Sequence, residues 1–381
     1  MGNGASTGAA NDTLNDGEIL RLDKMALTFI APTDVEGKFE KTKSINLNDN
    51  DLYKDITELS ILDGFHALER LTLNNNKLTK FPMVVAGLSS LTHLDLGKNR
   101  LTRLPKDVLY LNSLQTIILT ENQIDNTSMR LLTTMSSLVT VDLVSNRLTD
   151  ATFASKLDWF GLENLDLSAN LLSSFPITIC NLTRLTSLCI NSNQIRVIPP
   201  EIANLVNLTN LDISSNNIQE LPESIGKLRS LKHLTANFNK LKELPTEISK
   251  LPLVDLQIRW NLLRSFPAPL AQITSLTSLD LWSNKIADIT IQIGSLVNLE
   301  WLNLSSNELA LLPAQMGKMV SLKKLDVSFN ALRDLPKELG LLSHLKELLI
   351  EQNPLNEELA LVARLGTPAI MQHLRSNIAI V

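Results

Sequence analysis

The stretch LTNLDISSNNIQELPESIGKLRS, Leu208 to Ser230, decides the fold, because its 23-residue pattern recurs along most of the chain. Leu208, Leu211, Ile213 and Ile218 are apolar at i, i+3, i+5 and i+10, and Asn216 stands at i+8. Leu221-Pro222, Ile225 and Leu228 then carry the pattern to the next start at Leu231. Neither a helix nor a strand alone produces this spacing. Leu211 and Ile213 alternate as in a short strand, Asn216 takes the corner where the chain leaves it, and the remaining apolar residues return along the opposite side. Each turn points its leucines inward and buries them only against its neighbours.

The corner asparagines fall at 50, 76, 99, 122, 146, 170, 193, 216, 239, 261, 284, 307, 330 and 353, at intervals of 22 to 26 residues. The expected fold is therefore an α/β solenoid, a leucine-rich-repeat horseshoe with a parallel sheet on its concave side and about fourteen full turns. An asparagine suits the corner because its amide both donates to and accepts from backbone groups that a tight turn leaves unpaired. A structural ladder is expected through Asn99, Asn170, Asn193, Asn216, Asn239, Asn261, Asn284, Asn307 and Asn330. Pro105, Pro176, Pro199, Pro222, Pro245, Pro267, Pro313 and Pro336 fix φ where the chain enters its outer return, read as the first position of a short helix.

Both ends depart from the period. Residues 1–12 are small and polar and read as a disordered tail. Residues 13–43 read as an N-terminal cap, in which Ile19 to Leu27 repeats the strand spacing with Met25 at the corner. The solenoid proper covers 44–355. Residues 356–381 carry helical signals, with Thr367 as N-cap and Pro368 at the first helical position, and form the C-terminal cap. The turns after Asn122 and Asn146 lack the proline and each gains a residue, and the second places Trp159 on the return.

Composition narrows the function. The net charge is −5 with no basic run, which disfavours nucleic acid. Two cysteines, Cys180 and Cys189, sit inside repeat positions and not in disulfide caps, which points to a reducing, cytoplasmic setting. No stretch has the roughly 18 apolar residues of a membrane span. Gly2 and Ser6 fit the myristoylation pattern Met-Gly-x-x-x-Ser/Thr. A single acyl chain, with no nearby basic residue to assist it, gives only weak, reversible membrane association. The histidines at 66, 93, 233, 344 and 373 are scattered, and neither His93 with Asp95 nor His233 with Asp255 has a nucleophile. No metal-ligand spacing or phosphate loop occurs, so no enzyme activity, cofactor or metal is expected.

The motif LxxLxLxxNxL with LP-x-x-I at 23-residue spacing, and the ending GTPAIMQHLRSNI from Gly366 to Ile378, resemble the intracellular leucine-rich-repeat proteins of the Ras-group type. That group includes a Ras–Raf scaffold and the Ras suppressor. The resemblance implies a non-enzymatic adaptor that touches small GTPases or phosphatases.

Candidate contact residues are those the period leaves free, at the third, fifth, seventh and eighth positions of LxxLxLxxN, on a face about 60 to 70 Å long at 4.8 Å per strand. Fifth-position Asp95, Asp142, Asp166, Asp212, Asp280 and Asp326 form an acidic row, read mainly as solvated. The aromatic residues are a sharper signal: three of the four tryptophans lie within 42 residues, all at free positions. Trp260, Trp282 and Trp301, flanked by Phe238 and Phe329, with Arg259 beside Asp280, make the expected partner-binding site, since tryptophan and arginine dominate interface hot spots. The partner expected is one globular protein on a monomeric solenoid. A second reading makes the chain a structural or assembly component of a cytoskeletal or ciliary complex.

Overall fold

The computed structural model describes residues 18–53, 59–153 and 157–378. The chain divides into two compact units, one of residues 1–148 and 157–162, the other of residues 149–156 and 163–381.

The first unit carries six parallel strands, β1 (Ile19–Arg21), β2 (Ser44–Asn46), β3 (Arg70–Thr72), β4 (His93–Asp95), β5 (Thr116–Ile118) and β6 (Thr140–Asp142). The second carries nine: β7 (Asn164–Asp166), β8 (Ser187–Cys189), β9 (Asn210–Asp212), β10 (His233–Thr235), β11 (Asp255–Gln257), β12 (Ser278–Asp280), β13 (Trp301–Asn303), β14 (Lys324–Asp326) and β15 (Glu347–Leu349). Within each unit successive strands pair without slippage, so repeat position faces repeat position, as in Leu234 with Leu211 and Leu256. The central residue of each strand, leucine in all but Ile45, Ile117 and Val141, is buried. Leu208, Ile213, Ile218, Ile225 and Leu228 are each 0% exposed, and burying one such side chain is worth about 1.5–3 kcal/mol.

β1 is a true first turn: Asn50 Oδ1 accepts from the Met25 and Leu27 amides at 3.1 and 2.9 Å, and its Nδ2 donates to the Leu22 carbonyl at 2.7 Å. Met25 therefore stands at the asparagine's place and takes its ladder bond from the next turn; a short helix, α1 (Pro32–Val35), lies on the return that follows.

The returns are mostly single turns of 3₁₀ helix. The eight prolines sit one residue earlier than the sequence suggested, at the N-cap. Pro222, for instance, has extended φ −69° and ψ 147° and accepts from the Ile225 amide at 2.9 Å. Thr290 replaces proline in the turn after Asn284, where its hydroxyl caps the Gln292 amide.

The lengthened returns after Asn122 and Asn146 differ from the rest. After Asn122 a helix, α2 (Asn126–Leu132), is capped by the Asp125 carboxylate. After Asn146 the chain brings Trp159 back into the first unit, fully buried, with Nε1 donating to the Leu132 carbonyl at 2.7 Å. In the second unit, helices α3 (Glu357–Ala363) and α4 (Thr367–Ser376) follow β15. Asn356 caps α3, and Gly366 with φ +86° is the N-cap of α4, so Thr367 is its first helical residue.

Candidate functional site

At the corners the ladder is built from side-chain amides. Asn216 Nδ2 donates to the Ile190, Ile213 and Ser214 carbonyls at 3.0, 3.2 and 3.0 Å, while its Oδ1 accepts from the Ile195 amide at 2.9 Å. Asn99, Asn193, Asn239, Asn261, Asn284, Asn307 and Asn330 bond in the same style, and Asn170 donates to the Leu167 and Ser168 carbonyls.

The residue before each corner asparagine has a feature that the spacing did not reveal. All fourteen, from Asp49 to Gln352, adopt a left-handed backbone with φ between 49° and 58°. Asparagine, aspartate and glycine tolerate this region, whereas for a bulky side chain it is an outlier. Phe238, Trp260 and Phe329 occupy it at φ 54°, 50° and 55°. Their rings are 51%, 48% and 58% exposed, so burial does not offset the conformation.

The fifth-position aspartates also have a specific task. An Oδ1 of Asp95, Asp142, Asp166, Asp212, Asp280 and Asp326 accepts from the amide two residues on, at 2.8 to 3.1 Å. The row is a set of local turn caps and not a band of free carboxylates. Burial raises the Asp95 and Asp212 carboxyls above the ordinary range even though these bonds pull the other way.

The aromatic positions of the second unit converge in part. Phe238 stacks on Trp260 with centroids 5.8 Å apart and planes 13° apart, and Trp260 meets Trp282 edge to face at 5.7 Å and 79°. Trp282 Nε1 donates to Ser306 Oγ at 3.1 Å. Trp301 is half-buried at the start of β13, in register between Ser278 and Lys324. Neither Trp301 nor Phe329 makes a ring contact among the described residues, so the continuous cluster is Phe238–Trp260–Trp282.

Arg259 Nε donates to Asp280 Oδ2 at 2.5 Å, and the Asp280 side chain is 0% exposed. Burial raises the Asp280 carboxyl, opposed by the Trp282 amide and Arg259. Asp280 is therefore not a contact residue. It anchors Arg259, whose side chain stays about one-third exposed beside the rings.

Elsewhere, burial and the Arg70 charge lower His93 to about 4, and burial with the Glu201 charge pushes the Cys180 thiol up to about 12. Cys189 lies in register between Asp166 and Asp212. His233 faces Asp255 across β10 and β11. Gly2 lies outside the described residues. Among those described, no helix is long and apolar enough to cross a membrane.

The geometry accords with the comparisons. Residues 89–148, 183–241 and 274–332 match the leucine-rich repeat family model. The chain is a leucine-rich-repeat solenoid. Among solved structures, this repeat protein is similar to a leucine-rich-repeat protein of Leptospira interrogans, with 29% identity over 90% of this chain and 92% of that one, at TM-score 0.76. It is also similar in fold to an internalin of Listeria monocytogenes, with 23% identity, 86% and 85% coverage and TM-score 0.64. A TDR receptor shares 25% identity over 85% of this chain at TM-score 0.69, and the match spans 57% of that receptor. The comparison with curated proteins returned no match. Leucine-rich-repeat solenoids in general serve as protein-interaction scaffolds, exposing an extended binding surface.

Proposed function

We propose that this repeat protein is a non-enzymatic adaptor or scaffold of intracellular signalling that holds one globular protein on the sheet face of β10 to β14. A single observation carries the reading. Phe238, Trp260 and Phe329 keep large, half-exposed rings at left-handed corners, where every other described corner carries a non-aromatic residue. Backbone strain of this kind costs on the order of 1–3 kcal/mol and persists at sites where function selects the side chain. Exposed aromatic rings with an adjacent guanidinium are also the groups that anchor interfaces. The resemblance to the Ras-group proteins supports a small GTPase or phosphatase as the partner, and the Met-Gly-x-x-x-Ser start supports a reversible, myristoyl-assisted approach to a membrane.

The test is a crosslinking pull-down with mass spectrometry, comparing the intact chain with Phe238→Asn/Trp260→Asn and with Gly2→Ala. The reading expects one globular partner whose crosslinks fall on β10 to β14, lost in the double variant, with Gly2→Ala altering only membrane recovery. Crosslinks confined to the outer returns, or unchanged capture by the double variant, would overturn it.

A further inference from the structure

Just past β15, the ladder of the second unit ends on three backbone donors that no described residue satisfies. In the preceding turn, the Val327 amide donates to the Leu349 carbonyl at 2.9 Å and the Phe329 amide to the Glu351 carbonyl at 2.8 Å. The Leu332 amide donates to Asn353 Oδ1 at 2.9 Å. One turn later the corresponding donors are the amides of Ile350, Gln352 and Leu355, and no described residue accepts from them. The C-terminal cap closes only the rung before these: Thr367 Oγ1 accepts from the Leu348 amide at 3.0 Å and returns to the Leu348 carbonyl at 3.4 Å. Beyond that rung α3 stands away from the strand and leaves a groove of about 450 Å³, lined by Ile350, Gln352, Leu355, Ala360 and Ala363 among others. That volume lies in the range of ligand pockets, about 300–1,000 Å³.

These donors lie in the corner just past β15, and an unpaired ladder end of this kind is a template on which main-chain bonds supply the affinity for an added peptide segment. The three donors specify more than an edge. They call for two backbone carbonyls two residues apart and a side-chain oxygen two residues further on. A returning amide would bond the Ile350 carbonyl as Asn353 Nδ2 bonds the Val327 carbonyl at 2.9 Å. We propose that this groove binds a short peptide of a partner protein that runs parallel to the chain just past β15 and takes the corner conformation, with an asparagine two residues beyond its second bonded carbonyl and a left-handed residue just before that asparagine. The peptide completes the ladder that the cap leaves open. A whole further turn is excluded by α3 and α4, so the occupant is a short peptide and not a second copy of the solenoid. The inference is independent of the aromatic face.

The probe is the end-blocked pentapeptide Asp-Ile-Ser-Ser-Asn, which copies residues 212–216, added to the full chain. Amide exchange at Ile350, Gln352 and Leu355 slows at least tenfold at saturation. Replacing the peptide's final asparagine by leucine weakens binding at least tenfold. Ala363→Trp fills the groove and abolishes binding with the melting temperature unchanged, and Ala360→Trp serves as the second variant should the first disturb the cap. Protection absent at these amides, protection on β10 to β13 instead, or binding that survives a folded groove-filling variant would overturn the proposal. So would concentration-dependent dimerisation through this edge.

Discussion

The two units present the same corner with different side chains. In the first unit the left-handed corner residues are Lys24, Asp49, Asn75, Lys98, Glu121 and Ser145; in the second Phe238, Trp260 and Phe329 stand among an alanine, four serines and a glutamine. The backbone angle is the same in both, within 49° to 58°. The repeat therefore dictates the conformation and leaves the side chain free. A ring that gains little burial in that place is not there for the fold.

The sharpest contrast is with a tryptophan that the fold does need. Trp159 is 0% exposed and bonded to the Leu132 carbonyl, so Trp159→Ala is expected to cost about 3–5 kcal/mol in a chemical denaturation experiment. Trp260→Asn is expected to cost nothing in the same experiment. Equal losses for the two would erase the distinction between structural and displayed rings.

Next in size are the ladder residues, whose effect should be alike in both units. Asn99→Ala and Asn216→Ala each strand buried backbone groups, at about 1–3 kcal/mol. A loss confined to one unit would show that the corners are not equivalent.

A smaller effect separates the units by pH. His93 on β4 is held near 4 by burial and Arg70, so the unfolded chain takes up a proton below about 6.5 that the folded chain refuses. Stability from this group is complete above pH 6.5 and declines as pH falls towards 4, by roughly 1–2 kcal/mol once the ring's partial contact with water is allowed for. His93→Gln should flatten that part of the urea-denaturation profile. The Asp95 carboxyl, raised by burial, works in the opposite sense and remains in both proteins.

Much of this was legible in the sequence because buried positions repeat. The alternation of Leu211 and Ile213, the asparagine corners and the degenerate turn at Met25 all follow from a period that packing enforces. The proline-free returns announced an irregularity, and the structure gives its content: α2 after Asn122 and the inward Trp159 after Asn146. The aspartate caps were hidden, although Asp-Ile-Ser at 212–214 and Asp-Leu-Gly at 95–97 carry the signal of a carboxylate two residues before a corner amide. The left-handed φ was hidden too, because phenylalanine and tryptophan do not advertise a backbone state that they disfavour. At the site, Arg259 and Asp280 on adjacent turns could be paired from spacing, although the residue in register with Asp280 is Gln257; that Asp280 is sealed and Trp301 lies outside the ring cluster depends on side-chain packing that no period encodes.

The central claim is that the rings at the left-handed corners are displayed and do not hold the solenoid together. The most direct measurement is the thermal melting of Phe238→Asn/Trp260→Asn/Phe329→Asn, in which asparagine suits the corner angle better than the rings it replaces. The account predicts a melting temperature equal to or above that of the parent chain. A clear fall would mean that the rings pack the solenoid and would contradict it.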